Sequence, residues 1–271
     1  MAPRIVIVGF GNLGQAIARG AIASGLAAPS EIGAVDPEPD PRARAEALGL
    51  RTPDAAQVAG CEIVLLAVKP QRFAEAARAL APIAAGGPLV VSVMAGIRSD
   101  AIRAALGGGA RIVRVMPNTP AAIGRGVTAI ASDAAVAATD LSSAEQLFAS
   151  VGTTVRVPEA LFDAVTAVSG SGPAFVFRFL EAWCAAAEEL GLPDDTAQAL
   201  ARGTLIGAAA MLDETGEEPQ VLRARVTSKG GTTAAGLARM EDETARGGGI
   251  DALMLETLRA ARDRGAELGR A

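Results

Sequence analysis

Short β-branched runs alternate with stretches of helical spacing through the first half of the chain, and then the strand signal stops. Residues 4–9, 32–35, 63–68, 89–93 and 111–116 read as strands, with shorter ones at 127–131 and 153–157. Between them, 13–24, 71–80 and 140–150 carry apolar residues at helical spacing. This alternation predicts an α/β fold with a doubly wound sheet. The run 63–68 is apolar without alternation, as expected of a strand covered on both faces.

After Pro158 only helices are expected, over 172–190, 193–214, 232–243 and 250–268. Pro173 and Pro193 stand near helix starts and Gly191 between two helices. The segment 174–187 is apolar on nearly every face, with Phe175, Phe177, Phe179, Trp183 and Cys184. A helix apolar all round must be buried on all sides, which in so small a domain predicts burial against a second subunit. The expected division is a dinucleotide-binding domain over 1–157 and a helical domain over 158–271.

Composition narrows the chemistry. Half of the 271 residues are apolar and only 3% aromatic, so the core is built from Ala, Val, Leu and Ile. The net charge is −5 with both signs interspersed, which argues against a nucleic-acid surface. No apolar run is expected to reach the ~18 residues of a membrane span, and the chain enters its first strand without a charged leader. A soluble, cytoplasmic protein is expected. Neither histidine nor tyrosine occurs, which excludes Ser-His-Asp and Cys-His catalysis and histidine metal sites. Cys61 and Cys184 are too few for a Cys-rich zinc site and read as reduced core thiols. No metal is expected; the chemistry falls to a bound cofactor, or to Ser, Thr, Lys and carboxylates.

Gly9-Phe10-Gly11-Asn12-Leu13-Gly14 fits G-x-G-x-x-G between a strand and a helix. Gly9 permits the turn, Gly11 lets backbone approach a pyrophosphate, and Gly14 permits close helix–strand packing. Asp36 ends the second strand, where a carboxylate accepts the adenosine ribose hydroxyls and repels a 2′-phosphate. This favours NADH at least as well as NADPH. The alternative is a solvated turn in the Pro-rich segment 36–41. Ligands bind such sheets at the carboxyl ends of the strands. Ala67, Val68, Lys69, Pro70, Ala95 and Asn118 are therefore expected to face the cofactor, and Asp54 adds to the negative field.

Late in the chain, Thr227-Ser228-Lys229-Gly230-Gly231-Thr232-Thr233 is a poor core filler but a good row of backbone N–H groups for an anion. As an alternative, it is a helix cap with Thr232 as the capping residue.

Together with Val68-Lys69-Pro70, Met116-Pro117-Asn118-Thr119-Pro120 and Ser169-Gly170-Ser171-Gly172-Pro173, this loop resembles the pyrroline-5-carboxylate reductases. The resemblance covers essentially the whole chain. Two positions depart from it: Lys229, where the family usually has proline, and Asp54, where asparagine is common. The resemblance implies a Rossmann domain followed by a helical domain interleaved in a homodimer, with dimers in many members assembling into decamers. It implies NADPH or NADH as cofactor and 1-pyrroline-5-carboxylate as substrate. The substrate carboxylate is expected on the N–H groups of Gly230, Gly231, Thr232 and Thr233, helped by Ser228. The resemblance also places Thr233 at the ring nitrogen as the catalytic residue, and Glu159 near the cationic ring.

Two rival readings stay open. A β-hydroxyacid-type dehydrogenase needs a catalytic lysine on a helix of its second domain, whereas Lys229 sits in a loop. A non-catalytic dinucleotide sensor would bind cofactor without turnover.

Overall fold

The computed structural model describes all residues except 1, 55–56, 59, 85–86, 133–135, 243, 245–247 and 270–271, together with the side chains of 81–84. Seven strands form one sheet in the order β2-β1-β3-β4-β5-β6-β7. They are β1 (Ile5–Val8), β2 (Ile32–Val35), β3 (Ile63–Leu66), β4 (Leu89–Ser92), β5 (Ile112–Met116), β6 (Gly126–Ser132) and β7 (Gly152–Arg156). The first five run parallel; β6 pairs antiparallel with β5, and β7 runs parallel to β6.

Alternate residues of the central strands feed two separate cores. Ile5, Ile7, Leu65 and Val91 join Ile17 of α1 (Asn12–Ala23), Ala45 of α2 (Pro39–Ala47) and Phe148 of α5 (Ala138–Ala149). Val6, Leu66, Val90 and Ile112 join Ala77 of α3 (Phe73–Ala84) and Ile102 of α4 (Ser99–Ala105). A strand buried on both faces has no polar positions to alternate, which is why β3 reads as a continuous apolar run.

The segment 36–41 is not a plain turn. Its prolines at 39 and 41 stand in the first turn of α2, where the missing N–H groups have no helical partner to lose. Helices α4 and α9 (Pro219–Arg225) are likewise additional to the expected elements.

The chain divides into two compact units, Met1–Ser171 with Ala261–Ala271, and Gly172–Ala260. This differs from a boundary at 157/158, because α6 (Phe162–Val165) and the π turn Thr166–Gly170 belong with the sheet. The end of α11 (Gly249–Leu268) does too.

The second unit contains α7 (Gly172–Glu189), α8 (Asp194–Thr215), α9, α10 (Thr232–Met240) and most of α11. The helix expected to reach 243 ends at Met240, and Glu243 lies outside the described residues. Among the described residues of this unit only Ala197 and Ala201 are buried apolar side chains. Phe177 and Ile206 are 61% and 68% exposed.

Within the helical stretch Glu159–Glu189, an 18-residue window has a mean hydropathy of 1.3, apolar enough by length and composition alone to cross a membrane. The apolar residues that cause it are those expected to meet a second subunit.

Candidate active site

Parallel pairing of β1, β3, β4 and β5 brings their carboxyl ends, and the loops that follow, to one edge of the sheet. The order in which strands are added reverses at β1, which has β2 on one side and β3 on the other. The crevice at such a switch point is where a dinucleotide lies.

The turn from β1 to α1 is built by its neighbours. Gly9 has φ +94°, and a Cβ there would stand 2.6 Å from the Ala67 carbonyl oxygen. Only glycine satisfies both the left-handed backbone and this approach. The Gly9 N–H donates to the Val35 carbonyl at 2.8 Å, and the Phe10 N–H to Asp36 Oδ2 at 2.7 Å. Asp36 Oδ1 also accepts the Glu38 N–H at 3.0 Å. A Cβ on Gly14 would stand 2.5 Å from the Gly9 carbonyl oxygen, so α1 packs directly on the turn.

Gly11 behaves differently. A Cβ there would meet nothing within 4 Å, and Gly11 caps α1 without a side-chain hydrogen bond. Open space over a glycine at an uncapped helix N-terminus fits a pyrophosphate. Asn12 is exposed and Leu13 half-buried on the same turn.

Ala67 follows β3 and donates its N–H to the Val8 carbonyl at 2.8 Å. Val68 and Pro70 are half-buried and Lys69 is exposed. Ala95 is exposed in the loop after β4. Asn118 follows β5, where its Oδ1 accepts the Val127 N–H at 2.9 Å and ties the loop to β6.

Asp54 has local partners. Its Oδ1 accepts the Gln57 N–H at 2.9 Å, and Gln57 Oε1 accepts the Asp54 N–H at 3.1 Å. This reciprocal pair closes a turn.

Glu159 is also engaged. Its Oε1 accepts the Ser99 N–H and Arg114 Nη1, each at 2.8 Å. Burial pulls its carboxyl upward most strongly, but the Ser99 N–H and the Arg114 guanidinium together outweigh it and hold it below the usual range. Arg114 is only 5% exposed, and its guanidinium carbon lies 4.7 Å from the centre of the Phe162 ring. Sequence reasoning missed Arg114, although a lone charge within the apolar strand Ile112–Met116 is a usable signal. The π turn after α6 ends at Gly170, where a Cβ would stand 2.9 Å from the Met116 methyl.

Burial pushes the Cys61 thiol up to about 11, and its Sγ donates to the Ile63 carbonyl. It is a core thiol, unreactive near neutral pH.

In the second unit the loop 228–231 is a closed turn. The Gly231 N–H donates to the Ser228 carbonyl at 3.1 Å, and Gly230 sits at φ +72° in its third position. A left-handed third residue is the mark of a type II turn. This corrects one expectation, because the Gly231 N–H is spent inside the turn and is not offered to an anion. It also corrects the helix-cap reading. The capping residue of α10 is Gly231, without a side-chain bond, and Thr232 and Thr233 are its first two helical residues, both exposed. The N–H groups of Gly230, Thr232 and Thr233 remain for a ligand, since the first N–H groups of a helix have no partner within it. Ser228 Oγ packs directly over the Gly231 Cα, where a Cβ would collide with it.

Residues 159–268 match the family model of pyrroline-5-carboxylate reductase dimerisation, and residues 4–96 that of NADP oxidoreductase, coenzyme F420-dependent. A pyrroline-5-carboxylate reductase from a Synechocystis species is 41% identical over the whole of both chains. The structure of a pyrroline-5-carboxylate reductase from Coxiella burnetii superposes with a TM-score of 0.91, at 34% identity and 99% coverage of each chain. The Plasmodium falciparum pyrroline carboxylate reductase with NADP bound superposes with a TM-score of 0.82, at 25% identity over 98% of each. With a glycine turn shaped for a dinucleotide and full-length identity at this level, the chain belongs to the pyrroline-5-carboxylate reductase family.

Proposed function

We infer that this protein reduces 1-pyrroline-5-carboxylate to L-proline with NADPH or NADH, the last step of proline synthesis. The observation that carries the reading is the 41% identity to a reductase of that name over the full length of both chains. When bound, the cofactor supplies the hydride that adds to the C=N carbon, and the ring nitrogen keeps the proton of the iminium.

The protein's own groups bind and orient. The turn Gly9–Gly14 and the N-terminus of α1 receive the pyrophosphate. Asp36 holds the turn and faces the ribose, while Val68, Lys69, Pro70, Ala95 and Asn118 frame the nicotinamide half. In the second unit the N–H groups of Gly230, Thr232 and Thr233, with the Ser228 hydroxyl, take the substrate carboxylate. Thr233 Oγ1 lies against the ring nitrogen. A threonine hydroxyl is too weak an acid to protonate the imine alone, so the substrate enters as the iminium and Thr233 holds its proton in place. Glu159 serves as a positioning residue through Arg114 and Ser99. Asp54 acts through its turn, at the ribose end.

The match to a dimerisation domain supports a homo-oligomer. A dimer that assembles further into a decamer, in the cytoplasm, completes this reading.

The test is loss of nicotinamide absorbance on mixing protein, pyrroline-5-carboxylate and either cofactor. Binding without turnover would make the protein a dinucleotide sensor. Thr233→Ala should lower kcat by roughly 10²-fold while leaving the dissociation constant of NADPH nearly unmoved. An unchanged kcat would remove Thr233 from the chemistry.

A further inference from the structure

Of 25 basic side chains, only Lys69 and Lys229 are lysines. Arginines make the ion pairs that brace this fold, such as those with Glu38, Asp140 and Glu159. Neither lysine has an ion pair or a side-chain hydrogen bond among the described residues. Both stand on ligand loops, Lys69 after β3 and Lys229 in the turn that opens α10. A planar guanidinium suits fixed, bidentate partners, whereas an ammonium on a flexible stem suits a partner that comes and goes.

Lys229 occupies the second position of the turn Ser228–Gly231, immediately before the left-handed Gly230. Lys229 is exposed and lies three and four residues before Thr232 and Thr233, on the turn that leads into them. The turn consumes the Gly231 N–H, which leaves the anion cradle one donor short. A full positive charge beside the two helical N–H groups offsets that loss.

We propose that Lys229 is a specificity-determining residue whose ammonium pairs with the substrate carboxylate, so that this chain selects imines carrying an acid group. The inference rests on the reading of the loop as the carboxylate site.

The test compares wild type, Lys229→Ala and Lys229→Arg on pyrroline-5-carboxylate and on 1-pyrroline, the same ring without its carboxylate. In Lys229→Ala, KM for the acid imine should rise roughly five- to ten-fold, with a several-fold smaller change for the bare ring. Lys229→Arg should recover most of the loss. Added salt should raise the wild-type KM for the acid imine, and that of Lys229→Ala much less.

An equal rise for both imines would assign the effect to loop shape and overturn the proposal. So would an unchanged KM, or a change confined to KM for NADPH. If the bare ring turns over too slowly, competitive inhibition by L-proline and by pyrrolidine makes the same comparison. Failure of the wild type to reduce either imine would instead remove the proposed function.

Discussion

In the sheet unit, Ile5, Ile7, Leu65 and Val91 on one face and Val6, Leu66, Val90 and Ile112 on the other are covered by their own chain. In the helical unit, Phe177, Ile206 and Leu190 stand open, and two alanines make up the buried apolar side chains among its described residues. The first unit therefore holds its ligand turn by internal packing, with Gly9, Ala67 and Asp36 locking one another. The second holds its turn by a single backbone bond and a glycine, on helices whose apolar faces call for a partner. On the proposed function, cofactor recognition falls to the self-sufficient unit and substrate recognition to the one whose match is to a dimerisation model.

The largest expected effect probes the locked turn. Gly9→Ala forces a Cβ against the Ala67 backbone in a left-handed conformation, costing about 4 kcal/mol from backbone strain and overlap together. Calorimetry of NADPH binding and urea unfolding should both register it; full cofactor affinity would show that the turn is softer than the packing indicates.

A polar change in the other unit should separate the two behaviours. Phe177→Asp with Ile206→Asp should weaken assembly by about 3 kcal/mol, seen as smaller particles in sedimentation. NADPH affinity should stay within about threefold if the sheet unit needs no partner to bind. A parallel collapse of cofactor binding would erase the contrast between the units.

The smallest effect concerns the pair that braces the sheet unit at its margin. Arg114→Met should cost about 2 kcal/mol, because Glu159 loses its partner while remaining partly buried. The Glu159 carboxyl is lowered in the folded state. Its contribution is thus fully present above the ordinary glutamate value of about 4.3 and is lost as pH falls below that toward the folded value. Acid titration of stability should be shallower in Arg114→Met than in wild type; identical slopes would show that the pair carries none of the acid sensitivity.

Much of this was legible in the order of residues. Apolar runs without alternation announced strands covered on both sides, and the glycine spacing announced a turn against a helix. Three features were not. The prolines at 39 and 41 look like breakers, but within the first turn of a helix they cost nothing. The partner of Arg114 lies far along the chain, and no local pattern links the two. Two adjacent glycines suggest free N–H groups, yet the direction of the Gly231 hydrogen bond belongs to the turn geometry and not to the letters.

Asp36 shows what such economy costs an engineer. Its two carboxylate oxygens tie down the Phe10 and Glu38 N–H groups, and on the proposed function the same negative charge faces the ribose, where it disfavours a 2′-phosphate. Replacing it to favour NADPH over NADH would untie the turn that the proposed function gives to either cofactor. Retuning cofactor choice here therefore calls for a compensating change elsewhere along the loop, since selectivity and order are vested in one side chain.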